Sequence, residues 1–328
     1  METERQKRGG GAGKTVILLG NFDGVHRGHA ALVREARRIA GTDGQVLAYT
    51  FRELTGSALR LTDGVQRERL LLLAGADSVV EDSFERVRMF SPERFVTQVL
   101  CGMLHGDACV CGFNYRFGCG GKGDAALLCR LAEEARMTCR VVAPVTEGDL
   151  PISSTRVRGV LEDGRPEEAL KLLGHPFSYR LPVLHGKQIG RTIGIPTVNQ
   201  RIPAGFARLK NGVYASFCRA GDTWYPAVTN VGSRPTVNRD GTDITCETHI
   251  IGFSADLYGS MMEIFFLSYL RDERKFPSLD ALREAIGNNA AQAEALFSVY
   301  PRNGMGEPVL LCGGLSCEPG QKILTNLL

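Results

Sequence analysis

What most constrains this chain is a change of hydrophobic period partway along it. From Thr15 to Leu173 short runs of β-formers alternate with helical patterns, and beyond His175-Pro176 the helical pattern is lost for about a hundred residues. In the first stretch Thr15–Leu19, Val46–Phe51, Ser78–Glu81, Ala108–Phe113 and Arg140–Val145 read as strands. Ala30–Ala40, Gln66–Leu73, Pro92–Leu104 and Asp124–Met137 read as the helices between them. Strands joined through helices need right-handed crossovers, which predicts a parallel, doubly wound α/β sheet with ligands beyond the carboxyl ends of its strands. Two short helices, Thr155–Leu161 and Pro166–Leu173, close this stretch. In the second stretch Gly212–Cys218, Trp224–Val231, Thr245–Phe253 and Met261–Tyr269 are β-branched or aromatic and separated by Gly, Pro, Asn and Asp. That pattern predicts a closed or nearly closed all-β barrel, followed by a helix from a Ser278 cap to about Val299.

Composition agrees with two unlike domains. At 328 residues and 43% apolar content the chain can fill two cores, and no internal repeat relates the halves. Residues 1–14 read as a flexible tail, 15–174 as the first domain, 175–300 as the second and 301–328 as an extension without an assigned role. Lys+Arg 39 against Asp+Glu 36 leaves +3, which excludes a broad basic surface for nucleic acid or an acidic membrane. Any phosphates are therefore gripped locally. The apolar runs are too short for a spanning helix and no export signal is expected. Ten cysteines without a CxxC predict reduced thiols in a cytoplasmic protein, and Cys109 and Cys111 read as small buried side chains on one strand face. The segment Gly9–Thr15 imitates a phosphate loop, but Arg8 stands where its first glycine belongs and it precedes a strand instead of following one.

The stronger anion signal is Gly20-Asn21-Phe22-Asp23-Gly24-Val25-His26-Arg27-Gly28-His29, between the first strand and the first helix. Gly20, Gly24 and Gly28 permit close backbone approach, and the helix start offers amides and a positive dipole end. His26 and His29, three apart, can both face a triphosphate and stabilise charge on departing pyrophosphate without a covalent intermediate. A zinc site would lack a third ligand. Ser154 and Thr155 place hydroxyls at a helix start with Arg158 one turn in, suited to phosphate oxygens. The turn Gly112-Phe113-Asn114-Tyr115-Arg116-Phe117-Gly118 offers an amide and two rings to a planar ligand. Taken singly, these read equally as a capped helix and a core turn.

The second half carries His185-Gly186-Lys187-Gln188-Ile189-Gly190-Arg191-Thr192-Ile193-Gly194-Ile195-Pro196-Thr197-Val198-Asn199. Its glycines admit phosphates, and Thr197 and Asn199, two apart on an extended segment, present oxygen ligands for Mg²⁺ on one side. Glu247, a lone carboxylate among β-formers, is the candidate to take a proton from an attacking hydroxyl.

In this order GxFDGxHxGH, the GFNYRFG turn and ISSTxxR resemble the nucleotidyltransferase domain of the bifunctional bacterial riboflavin kinase/FAD synthetase family, over about Lys14 to Leu173. GRTIGIPTVN, GVYA (Gly212 to Ala215), NVGSRPTV (Asn230 to Val237), ETHIIGFSADLYG (Glu247 to Gly259) and LRDERKF (Leu270 to Phe276) are very similar to that family's riboflavin kinase domain, over His185 to Val299. The resemblance implies a Rossmann-like domain followed by a six-stranded Greek-key β-barrel with a C-terminal helix. It implies phosphorylation of riboflavin to FMN and adenylylation of FMN to FAD, both with ATP and Mg²⁺. His26 and His29 then fall on catalytic positions, and Gly20, Phe22, Asp23, Gly24, Gly28, Ser154, Thr155 and Arg158 on ATP positions. Phe51, Asn114 and Phe117 fall on flavin positions. In the barrel Gly190, Arg191, Gly194, Thr197 and Asn199 fall on ATP positions, Thr197 and Asn199 also on the metal, Glu247 on the base that activates the ribityl hydroxyl, and Arg271 on the flavin.

Three departures stand out: Thr50-Phe51 runs into Arg52-Glu53-Leu54 where members of the family carry DPHP, Phe113 stands where an acidic or small residue is often found, and Leu181 replaces a usual glycine. The first leaves open a monofunctional riboflavin kinase with an altered transferase domain. A flavin-binding regulatory module and a cytidylyltransferase are the remaining alternatives. The expected partners are the small molecules riboflavin, FMN and ATP, with neither nucleic acid nor membrane; the oligomeric state is left open.

Overall fold

The computed structural model describes residues 13–53, 59–185, 194–234 and 243–310. The chain divides into two compact units, Met1–Ala58 with Gly64–Ser153, and Leu59–Asp63 with Ser154–Leu328. The cut falls between Ser153 and Ser154, whereas the sequence pattern places the domain boundary at 174/175. The two short helices group with the barrel for a physical reason: Glu167 accepts hydrogen bonds from Ser268 Oγ and, at 3.1 Å, from the Tyr269 amide.

The first unit is a five-stranded parallel sheet of β1 (Thr15–Leu19), β2 (Gln45–Phe51), β3 (Ser78–Asp82), β4 (Ala108–Gly112) and β5 (Thr138–Val142) in the order β3-β2-β1-β4-β5. Central β1 is buried along its whole length, as its unbroken apolar run requires. It pairs Val16 with Val46 on one side and with Ala108 on the other. Helices α1 (Arg27–Ala40), α2 (Gly64–Leu73) and α3 (Ala125–Glu134) cover the sheet, α3 starting at Asp124, whose carboxylate accepts from the Leu127 amide at 2.8 Å. Ile17, Leu19, Cys109 and Cys111 pack against Leu128 and Leu131 in one core, so the buried reading of both cysteines holds. The helix expected over Pro92–Leu104 is one α-turn, Pro92–Arg94, continued as a π-helix, Phe95–Met103. The wider turn places Phe95, Val96, Val99 and Leu100 together in the core.

The second unit opens with α4 (Ser154–Glu162) and α5 (Pro166–Leu173) and continues as β6 (Phe177–Pro182), β7 (Val198–Ile202), β8 (Gly212–Ala220), β9 (Thr223–Arg234), β10 (Asp243–Ile250) and β11 (Met261–Arg271). These form one antiparallel sheet in the order β6-β11-β8-β9-β10-β7, and the bridge between Leu184 and Asn199 brings its two edges together. The expected fold class holds. Inside the barrel buried hydroxyls pair in a row, Ser216 to Thr229 at 2.7 Å and Thr229 to Thr248 at 2.9 Å. Outside it α6 (Leu279–Val299), capped by Ser278, lays Ala293 and Phe297 on Phe217, Val228 and Phe265.

Buried Gln200 ties the edges further, donating from Nε2 to Leu181 O at 2.7 Å and to Met262 O at 2.9 Å. In Gln200→Leu both carbonyls lose their donor inside the protein, with an expected cost of about 1–3 kcal/mol. Urea denaturation measures it, and an unchanged midpoint would remove Gln200 from the closure of the barrel. Among the described residues no helix is long and apolar enough to cross a membrane.

Candidate active sites

In the first unit the Gly20–His29 turn leaves the carboxyl end of β1 and enters α1. Its backbone is strained: Phe22 and Val25 hold φ of 49° and 38°, a left-handed conformation that a β-branched residue strongly disfavours. His26 is the helix cap, its Nδ1 accepting from the His29 amide at 3.3 Å. The two imidazoles stack with centroids 3.7 Å apart and planes at 15°. A Cβ at Gly28 would stand 3.0 Å from the His26 ring, so the glycine makes room for that ring. Phe22 is wholly buried and meets His29 edge-on at 5.3 Å, its side chain forming a floor for the histidine. Asp23 is likewise buried. His29 keeps one exposed edge, yet its Nδ1 is enclosed and finds no partner among the described residues. Burial first, and then the neighbouring His26, hold its pKa well below the usual histidine value, so the ring is neutral at pH 7.

The turn is anchored through the Asn21 carbonyl, which sequence reasoning missed. Thr50 Oγ1 donates to it at 3.2 Å and Arg67 Nη1 at 3.5 Å, while the other Arg67 nitrogen pairs with Glu81. Arg67 is buried on α2, an unusual place for a guanidinium without a task. Arg67→Met is expected to loosen the turn and lower turnover in the first unit about tenfold, with turnover in the barrel unit as the unaffected control. Equal loss of both rates would instead indicate a general folding defect.

The remaining first-unit candidates lie at the carboxyl ends of β2 and β4. Phe51 ends β2, half-buried against Tyr49 and Phe84 at 5.6 and 5.3 Å. Glu53, two residues on, accepts from the Phe84 amide at 3.2 Å, and 54–58, where the departure from DPHP continues, lie outside the described residues. Asn114 is exposed in the turn after β4. Phe117 is buried against Phe95, with the half-buried Tyr115 parallel to it at 5.9 Å, so of these two rings Tyr115 is the one nearer the surface.

Ser154 and Thr155 begin α4 in the second unit, Ser154 half-buried and Thr155 exposed. Arg158 Nε donates to Leu59 O at 2.5 Å, so this arginine holds a backbone segment of its own unit.

In the barrel strand register assembles a row that sequence distance conceals. Asn199 of β7 faces Glu247 of β10, Glu247 faces Asn230 of β9, Asn230 faces Val213 of β8, and Val213 faces Arg271 of β11. Their inward neighbours Gln200, Cys246, Thr229 and Tyr214 are buried, which puts the whole row on the outer face. Thr197, two residues before Asn199, stands immediately ahead of β7. The row thus gathers Asn199, Glu247 and Arg271 and adds Asn230, whose Nδ2 donates to Glu273 Oε1 at 2.8 Å. Arg271 Nε donates to Asn289 Oδ1 of α6 at 3.1 Å; burial, then Arg274, lowers its pKa, but it remains a cation. Next to it a cavity of about 360 Å³ is lined by Arg274, Phe276, Glu284 and Asn288. Gly194 has open space around it; Gly190 and Arg191 lie outside the described residues. Threonine and asparagine oxygens are the hard donors that Mg²⁺ takes, so Thr197 and Asn199 fit that ion.

Comparison with known proteins matches both halves of the chain. The FAD synthetase family model matches residues 11–156 and the riboflavin kinase model residues 173–297. The bifunctional riboflavin kinase/FMN adenylyltransferase of Escherichia coli K12 is 34% identical over 294 residues, covering 87% of this chain and 93% of that protein. Its Bacillus subtilis counterpart is 31% identical, covering 87% and 93%. A crystal structure of a Streptococcus pneumoniae protein named for macrolide efflux is 30% identical, with a TM-score of 0.75 over 88% of this chain and 96% of that one. With two family models spanning most of its length and relatives of this identity matched almost end to end, the chain is a member of the bifunctional riboflavin kinase/FMN adenylyltransferase family.

Proposed function

We propose that the barrel phosphorylates riboflavin and that the parallel-sheet unit adenylylates the resulting FMN, ATP being the donor in both steps. The observation that carries the assignment is the outer-face row of the barrel. It sets a carboxylate, Glu247, between two amides, with a cation at its far end. Glu247 takes the proton from the ribityl hydroxyl as that oxygen attacks the γ-phosphorus. Thr197 and Asn199 would hold Mg²⁺, which draws charge from the phosphate oxygens when bound. Arg271, oriented by Asn289, holds the flavin side.

In the first unit the strained turn and the α1 amino terminus hold the triphosphate, and the FMN phosphate attacks the α-phosphorus. The exposed edge of His29 donates to the departing pyrophosphate, and neutrality lets it bind there without its own desolvation penalty. His26 keeps its partner in place by stacking and capping. Asn114 and Phe51 border the flavin.

A chromatographic time course with riboflavin, ATP and Mg²⁺, beside a parallel reaction started from FMN, tests the assignment. FMN appearing first and FAD later is the expected result. FMN accumulating in the first tube with no FAD in either would make the chain a riboflavin kinase with a silent transferase unit.

A further inference from the structure

The first unit holds a group of thiols that neither reaction uses. Cys109 and Cys111 point to one face of β4, fully buried, and Cys139 of β5 lies in register with Cys109. Cys139 packs against the buried core that contains both Cys109 and Cys111. β5 is an edge strand and Cys139 is half-buried, whereas Cys109 and Cys111 are fully buried, so of these three strand thiols Cys139 is the one nearer the surface. The neighbouring thiols of Cys109, Cys111 and, on α3, Cys129, together with Arg140, lower the Cys139 pKa against the opposing effect of burial and so favour its thiolate. Burial and the same contacts push Cys109 and Cys111 up. All four are free thiols.

We propose that this cluster is a hydroperoxide-sensitive site, in which Cys139 is oxidised and closes a disulfide with Cys109 that slows adenylyl transfer. In the first step the Cys139 thiolate attacks the outer oxygen of a hydroperoxide, the O–O bond breaks, and an alcohol (or water, from hydrogen peroxide) leaves as a sulfenic acid forms. In the second the Cys109 sulfur attacks that sulfenic sulfur, and hydroxide departs with the Cys109 proton as water. Two thiols lose two electrons and the hydroperoxide gains them. In-register residues on neighbouring strands are about 4.8 Å apart, inside the Cα window of roughly 4.4–6.8 Å that a disulfide accepts. Closure replaces two thiols by a bond that fixes β4 to β5 three residues before Gly112 and removes the freedom of the two strands to adjust there. The turn that carries Asn114 starts there, which is how the change reaches the flavin side of the site. This consequence rests on the assignment of FAD formation to the first unit.

The test uses the full-length reduced protein, first shown to form FMN from riboflavin and FAD from FMN. Hydrogen peroxide is then added near stoichiometry, and peptides are mapped by mass spectrometry while both rates are followed. The expected result is a Cys109–Cys139 crosslink forming before the half-buried Cys101 and Cys119 react. The FAD rate falls about fivefold, the FMN rate holds, and dithiothreitol restores the loss. Cys139→Ser keeps its FAD rate in peroxide. Reaction at Cys101 or Cys119 ahead of Cys139, another pairing, or a crosslink that leaves the FAD rate unchanged would overturn the proposal. The peptide map on the unsubstituted chain decides the chemistry even if Cys139→Ser fails to fold. Absence of FAD formation before peroxide would count against the functional assignment alone.

Discussion

Glu247→Ala is expected to reduce FMN formation from riboflavin by about 10²–10⁴ while FAD formation from supplied FMN proceeds at its original rate. The carboxylate sits in the middle of β10, flanked in register by Asn199 and Asn230, on the face opposite the packed interior. Removing it leaves the hydroxyl to attack with its proton still in place, and neither amide can take that proton. Glu247→Gln separates chemistry from shape: it keeps the size and hydrogen bonding of the side chain and is expected to be as inactive as alanine. Because the partners of Glu247 are strand neighbours, the riboflavin KM should change little and kcat should carry the loss. Substantial FMN formation by either folded variant would remove Glu247 as the base. Loss of both activities in a folded variant would break the division of labour between the units.

Much of this was legible from residue patterns because the informative segments are either buried throughout, as in Thr15–Leu19, or buried along one helical face, as in Pro166–Leu173. Thr15–Leu19 and Pro166–Leu173 have the bounds their periodicity predicts. The edge strand β5 begins two residues earlier than expected, at Thr138, since Thr138, Arg140 and Val141 are exposed and leave no alternation to read. Strand β7 was hidden because its inward position is held by a polar residue, the buried Gln200, between Asn199 and Arg201; β6 and β7 entered the expected six-stranded barrel only through the family resemblance. The site motifs named the right kinds of residue, but their assembly depends on register. Nothing in the spacing of 199, 230, 247 and 271 places them in one row until the strands are paired. Arg67 and Thr50 were missed because they act on a backbone carbonyl, which leaves no trace in side-chain chemistry. Phe22 stands at a motif position yet serves as a floor, since a motif records that a residue is required and not which way it faces.

His29→Ala is expected to reverse the pattern of Glu247→Ala, lowering FAD formation by about 10²–10³ with FMN formation intact. His29 stacks on His26 and rests edge-on against Phe22, so alanine removes the donor for pyrophosphate and also the support of the capping ring. His29→Asn returns a donor without the stacking surface and should recover part of the rate. The same burial sets the sign of a pH effect. The native pKa of His29 is lowered, so between it and the unfolded value of about 6.5 the unfolded chain binds a proton that the native ring refuses. Stability of the first unit is therefore lost as pH falls from about 6.5 toward the native value, and it is regained as pH rises. Denaturation midpoints followed across that range should be flatter in His29→Ala than in the unsubstituted chain. An identical slope in both would mean that His29 is not held neutral by its surroundings. An unchanged FAD rate would remove it from the mechanism, whatever the slope.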